Sequence, residues 1–127
     1  MFSHVTLGMN DIDVTRRFYD AVLGTIGAAP GVADERGRLV YSHDGGRLLI
    51  TPPVDGGPPG AGNGHTLGFL VASPAAADAW HAAGLAHGGT ACEDPPGIRQ
   101  ATGGRVVYLA YLRDPAGNKL CAFHRIS

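Results

Sequence analysis

Pro52-Pro53-Val54-Asp55-Gly56-Gly57-Pro58-Pro59-Gly60-Ala61-Gly62-Asn63-Gly64 is the stretch that decides how this chain is organised. Nine of its thirteen residues are Gly or Pro. Such a run offers almost no side chain to bury and reads as a linker, here near the middle of the chain. The fold therefore turns on whether the two flanks are alike.

Upstream, His4-Val5-Thr6-Leu7-Gly8-Met9 alternates like a half-buried strand. Asn10 or Asp11 offers an N-cap, and Val14, Phe18, Val22 and Ile26 follow at helical spacing, predicting a helix over Ile12–Ile26. Gly24 and Gly27 let the chain stop and turn. Downstream, Thr66-Leu67-Gly68-Phe69-Leu70-Val71 is again strand-like, Ser73 is a natural N-cap, and Pro74 occupies a first helical position where its missing N–H costs nothing. The Ala-rich stretch predicts a helix over Pro74–Ala86, stopped by Gly88-Gly89. With an offset of 62, Leu7 meets Phe69, Phe18 meets Trp80, Ala21 meets Ala83, Leu23 meets Leu85, and Gly27 meets Gly89. Each half then has a strand pair about a turn: Arg38–Ser42 and Arg47–Thr51 in the first, Val106–Leu112 and Leu120–Phe123 in the second. A further short strand per half is expected around Ala28–Ala33 and Thr90–Glu93.

The recurrence of strand, cap, helix, stop and hairpin in one order predicts an α+β fold of two βαβββ modules. A single domain over 1–127 results, with module 1 at 1–55, the linker at 52–64 and module 2 at 65–127. Two such units can curl their sheets around a shared cavity with helices outside. Val5, Leu7, Phe18, Val22, Phe69, Trp80 and Leu120 are expected in the helix–sheet cores.

Composition fits one globular domain: 127 residues, 44% hydrophobic, 17% charged, formal charge −1. No basic patch points to nucleic acid, and no apolar run is long enough for a membrane span. The first residues carry neither a basic nor an apolar signal region, and Cys92 and Cys121 form no CxxC pair, so a reducing, cytoplasmic setting is expected.

Three segments resemble the glyoxalase / bleomycin-resistance / dioxygenase (vicinal oxygen chelate) superfamily. They are Phe2–Asp11 with Arg17-Phe18-Tyr19-Asp20-Ala21-Val22-Leu23-Gly24, then Gly62-Asn63-Gly64 entering a strand, and last Arg113-Asp114-Pro115-Ala116-Gly117-Asn118-Lys119-Leu120. The resemblance spans nearly the whole chain. It implies a divalent metal, acting as a Lewis acid on two substrate oxygens, held by a His on the first strand, a His opening the second module and a Glu on the last strand. Carried over position by position, these fall on His4, Thr66 and Cys121.

Only one of the three is the expected residue type. His65 stands one place before Thr66, and a one-residue shift on a strand turns a side chain to the other face. It reads as a solvated strand-start residue. His4 is a metal ligand or pocket base on the functional reading, and a hydrogen-bonding pocket residue on the plainer one, which stands ahead. Cys121 is read first as a small apolar filler, second as a zinc ligand, and a distant third as a nucleophile. Zinc is the metal that His4 and a Cys121 thiolate would suit; without it no cofactor is implied.

The segment Pro95–Arg105 resembles the family's loop over the cavity but lacks its aromatic and His residues, leaving Arg99 and Arg105 for an anionic group. Pairing the last hairpin about Asp114 to Gly117 would place Tyr108, Ala110 and Cys121 together on the cavity face. His43, His81, His87 and His124 lack ligand spacing. Gly60–Gly64 precedes a strand and so does not fit a phosphate loop.

Two functions follow from the resemblance. One is a glyoxalase-type lyase or isomerase acting on a small carbonyl compound with a degenerate metal site. The other is a metal-free protein that sequesters a small molecule, as bleomycin-resistance members do. A thiol transferase or dioxygenase relative is a third, less favoured. A homodimer is expected, because half-open sheets leave an edge or cavity mouth for a second copy to cover.

Overall fold

Asp11, not Asn10, starts the first helix in the computed structural model, which describes residues 1–127. Its carboxylate accepts the backbone N–H of Asp13 and Val14, satisfying two of the donors that open a helix. Strand β1 (Val5–Gly8) leads into α1 (Ile12–Gly24), then β2 (Val32–Ala33), β3 (Leu39–His43) and β4 (Gly46–Thr51). The second module repeats this with β5 (Leu67–Leu70), α2 (Pro74–Ala86), β6 (Thr90–Ala91), β7 (Gly97–Gln100), β8 (Val106–Arg113) and β9 (Lys119–Arg125). Ser73 caps α2 by accepting the Ala76 N–H, with Pro74 in the first turn. The two-module α+β fold is the one the repeat predicts.

In each module the first strand pairs parallel with the last, and the rest is antiparallel. The orders are β1-β4-β3-β2 and β5-β9-β8-β6, with β7 also on β8. Val5 lies opposite Leu48 and Leu67 opposite Leu120, so the two sheets start in matching register.

One core serves both modules. Phe18, Val22, Trp80 and Leu120 are fully buried in it, and Val5, Leu7 and Phe69 pack against it partly covered. The stripe expected on α1 holds at Phe18 and Val22, which are fully buried, and at Ile26, which packs against the core, but not at Val14, which is exposed; Thr15, Tyr19 and Leu23 complete the buried face. Steps of four residues outrun the 3.6-residue turn, so a run begun at Phe18 and extended back to Val14 leaves the buried face.

Helices α1 and α2 pack on each other where α2 is small. A Cβ on Gly84 would meet Leu112 and lie 3.2 Å from Val22 and 3.3 Å from Phe18. Two polar clasps join the modules. The buried Tyr19 hydroxyl donates to Asp114 at 2.5 Å, and Asn118 Nδ2 donates to the Gly8 carbonyl at 3.0 Å. The linker lies on the same junction, with Pro59 close enough to Gly8 that a Cβ there would be 2.9 Å away.

Two elements differ from expectation. The segment read as a loop over the cavity contains a strand, β7, paired with β8 through Ile98 opposite Tyr108, followed by a 3-10 turn at Thr102–Gly104. The extra strands near Ala28 and Thr90 shrink to two residues each.

Candidate functional site

The register of the last hairpin settles which side chains share a face. Arg113 pairs with Lys119 and Tyr111 with Cys121, leaving a five-residue turn, Asp114–Asn118. Asp114 organises that turn by accepting the N–H groups of Ala116 and Asn118, and Gly117 supplies the left-handed residue at φ 95°. This is one residue off a pairing about Asp114 to Gly117, and the slip reverses every side chain. Tyr108 and Ala110 therefore lie on the helix-covered face, where the Tyr108 hydroxyl donates to Asp78 of α2 at 2.6 Å. Cys121 lies on the opposite, helix-free face; the expectation that the three share a face is corrected.

Of the three positions matching the family's ligands, His4 immediately precedes β1 of the first sheet. Thr66 immediately precedes β5 of the second, and Cys121 sits in β9 opposite Gly68. His4 is exposed and its Nδ1 is engaged by the Ser3 hydroxyl at 2.7 Å. Thr66 is exposed and brings a neutral hydroxyl. Cys121 is buried, and burial pushes its thiol up to about 11, with the Tyr111 hydrogen bond pulling the other way. At neutral pH it is a protonated thiol, whereas a metal needs the thiolate. No group of three or more His, Cys, Asp or Glu side chains is placed to hold a metal ion. This donor set does not fit a hard divalent cation, which wants anionic oxygen ligands.

Arg99 belongs to β7 opposite Val107, and its guanidinium folds back onto the Pro95 carbonyl at 2.7 Å and the Ile98 carbonyl at 3.2 Å. His65 is exposed and lies against Gly62. Around Cys121 the structure gathers residues the sequence reading passed over. Lys119 pairs with Glu93 and stands 5.1 Å from the centre of the Tyr111 ring. Glu93 reaches it from a left-handed backbone at φ 56°, uncommon for a non-glycine residue. Cys92 and Cys121 are both free thiols.

The main concavity is elsewhere. A cleft of about 900 Å³ opens between the modules on the helix-covered side, walled by Val5, Leu23, Ile26, Leu48, Leu67 and Phe69. His43 and Asp44 from the β3–β4 hairpin and His124 from β9 border it, while strand alternation turns the Arg47 and Arg125 side chains to the helix-free faces. Neither His4, Thr66, Tyr108, Cys121 nor Arg99 lines it. The volume is that of a small-molecule pocket. Strand alternation marked Leu67 and Phe69 as apolar, but only the docking of the modules shows that they wall a space.

The family model of the Glyoxalase/Bleomycin resistance protein/Dioxygenase superfamily matches residues 1–122. The chain belongs to this superfamily. Among solved structures, a glyoxalase/bleomycin resistance protein from Albidiferax ferrireducens is 56% identical, with 98% of each chain covered and a TM-score of 0.93. An integron cassette protein from the mobile metagenome of V. cholerae is 25% identical over 97% of this chain and 93% of its own, with a TM-score of 0.65. A superfamily enzyme from Burkholderia phytofirmans, 19% identical with 95% of each chain covered and a TM-score of 0.71, shares the fold. A search among curated proteins found no match. No helix is long and apolar enough to cross a membrane.

Proposed function

We propose that this superfamily member is a metal-independent small-molecule-binding protein of the sequestering, bleomycin-resistance type, working as a homodimer in the cytoplasm. The observation that carries the reading is the donor set at the three ligand positions: an exposed His, a Thr hydroxyl and a buried neutral thiol. Lewis-acid chemistry on a carbonyl substrate needs a firmly held cation, and these groups supply neither the anionic ligand nor its charge. The inter-module cleft provides the room for a ligand. The helix-free face of the second sheet exposes Leu70 and Phe123, apolar surface that a second copy would cover. Two unbridged thiols suit a reducing compartment.

The test is elemental analysis of protein purified without a His-tag, joined to mass spectrometry of any co-purified ligand. Substoichiometric metal, with ligand binding undiminished after chelation, supports the reading. Tight one-to-one zinc, nickel or manganese with His4 as a ligand would overturn it in favour of a glyoxalase-type lyase. Thr66→His with Cys121→Glu should raise affinity for these ions sharply over the parent. Light scattering across micromolar concentrations should give a dimer mass, and a monomer throughout would remove the homodimer.

A further inference from the structure

The cleft is bordered by an open strand edge. Leu67, Gly68, Phe69 and Leu70 of β5 all line it, followed by Val71 and Ala72. Side chains of successive strand residues alternate between faces, so an unbroken run borders one space only where the strand turns its edge toward it. Strand β5 has such an edge, being last in the order β5-β9-β8-β6.

The ladder fixes where the main-chain groups of β5 point. Leu67 lies opposite Leu120 and Phe69 opposite Ala122, in parallel, and the Val71 N–H donates to the Phe123 carbonyl at 2.9 Å. In a parallel pair the N–H and C=O of one residue point to the same side, and those of the next residue to the other. Leu67, Phe69 and Val71 therefore turn theirs to β9. Gly68 and Leu70 turn theirs outward, where β5 has no partner strand. Unpaired donors and acceptors in this alternation are a template for another extended main chain.

The rest of the cleft is apolar or already engaged. Leu67, Phe69 and Ile26 wall it. The Tyr41 hydroxyl donates to Asp20 at 2.6 Å, Thr25 donates to the Val22 carbonyl at 2.6 Å, and His124 Nδ1 lies 3.1 Å from the Val71 carbonyl. Arg47 and Arg125, turned to the helix-free faces, bring no charge into it. A ligand there gains by burying apolar surface, and a charged group would be desolvated without a partner.

We infer that the cleft binds a small, uncharged, peptide-like molecule. Its apolar body lies against Leu67, Phe69 and Ile26. Its N-acylated amino-acid unit donates an N–H to the Gly68 carbonyl and accepts the Gly68 N–H with its own carbonyl. Gly68 is the outward residue between the two β5 walls, and a Cβ there would meet nothing within 4 Å, so the edge is open to approach. The volume of about 900 Å³ suits a small molecule. This rests on the reading that the ligand of this protein lies in the cleft.

Trp80, the only tryptophan, lies 6.3 Å from the Phe69 ring, so its emission reports what sits against Phe69. N-acetylphenylalanine methylamide carries the required unit. Its ester analogue, with oxygen in place of the phenylalanine N–H, lacks the donor, and N-acetylphenylalanine adds a carboxylate. Calorimetric titration of the metal-stripped protein, with Trp80 emission followed in parallel, should show one-to-one binding of the methylamide about tenfold tighter than either of the others. Gly68→Pro removes the outward N–H and leaves the ladder donors in place, and should weaken the methylamide about tenfold. Gly68→Ala keeps the N–H and should bind like the parent. Ala76→Phe, which fills the cleft from the first turn of α2, should abolish the Trp80 response to all three.

Methylamide and ester bound alike, or a Gly68→Pro protein that binds like the parent, would overturn the inference. Equal losses in Gly68→Ala and Gly68→Pro would do the same, by marking crowding in place of a lost donor. Should Gly68→Pro fail to fold by circular dichroism, the ratio of methylamide to ester decides alone. Equal binding of those two still leaves the cleft as a ligand site, whereas no binding by any probe removes it. The metal analysis above decides separately whether the protein works without a cation.

Discussion

The two helices occupy equivalent places in the repeat and do opposite things at their contact. Helix α1 brings Phe18, Tyr19 and Val22, all fully buried. Helix α2 answers with Ala77, Trp80 and Gly84. At the offset of 62, Val22 and Gly84 are counterparts, and they meet: the branched side chain of one fills the space left by the missing side chain of the other. Leu23 is buried, whereas its counterpart Leu85 is 45% exposed. The repeat is thus one of backbone and register; side chains at the contact are complementary, since two identical bulky faces could not approach this closely.

That asymmetry is broken most directly at the two counterpart aromatics. Phe18→Ala and Trp80→Ala should each cost about 3–5 kcal/mol in denaturant unfolding, since both are fully buried. A loss under about 1 kcal/mol at either would show that its helix is not held by this core. Trp80→Phe should cost clearly less than Trp80→Ala, because the buried indole N–H has no acceptor to lose.

Gly84→Val should cost about 1–3 kcal/mol by overpacking. Leu112→Ala in the same chain should return part of that loss, because Leu112 is the side chain a Cβ on Gly84 would strike. A Gly84→Val protein as stable as the parent would mean the helices stand further apart than described.

The phenol–carboxylate contacts grade the next effects. Tyr19→Phe removes a buried hydrogen bond to Asp114 and should cost about 1.5–3 kcal/mol, whereas Tyr108→Phe on the surface should stay within about 0.5 kcal/mol. Burial first, and the neighbouring Asp114 and Asp20 next, raise the Tyr19 and Tyr41 phenols above their ordinary value. A raised folded value means that this stabilisation is complete below about pH 10 and lost as pH rises above it. Unfolding free energies at pH 8 and pH 11 should therefore diverge, and Tyr19→Phe with Tyr41→Phe should narrow the gap.

The smallest effect concerns Cys121 alone. Its alkylation by iodoacetamide should be slow at neutral pH and accelerate toward pH 11, as burial dictates. Fast modification at pH 7 would restore a thiolate at the third ligand position and with it the case for zinc.

Much of this architecture was legible because punctuation in the chain is strong. Ser73-Pro74, Gly88-Gly89 and the Gly/Pro linker each permit few conformations, and they bound the elements within a residue or two. Faces were harder to read. The turn Asp114–Asn118 holds five residues, not four, because the Asp114 carboxylate gathers two N–H groups, and that one residue moved Tyr108 away from Cys121. Strand β7 was missed because Pro95-Pro96 and Gly103-Gly104 frame it with loop chemistry, and its pairing with β8 is tertiary. The departures at Thr66 and Cys121 could be read from sequence, but the cleft could not. Its walls come from both modules, Leu48 from one and Phe69 from the other, and no local pattern announces a shared space.

The bond from Tyr19 to Asp114 spans 95 positions of sequence, and that from Asn118 to Gly8 spans 110. During synthesis the first module emerges well before its partners exist, at a pace of about 5–20 residues each second. For several seconds Phe18 and Tyr19 have neither α2 nor the Asp114 turn to cover them, so the nascent chain presents a sticky helix that only the last quarter of translation can conceal. The dependence of this fold on its final hairpin makes the ribosome-bound half-protein a natural client for chaperones, and a stop codon anywhere before residue 114 should yield aggregate instead of a working half.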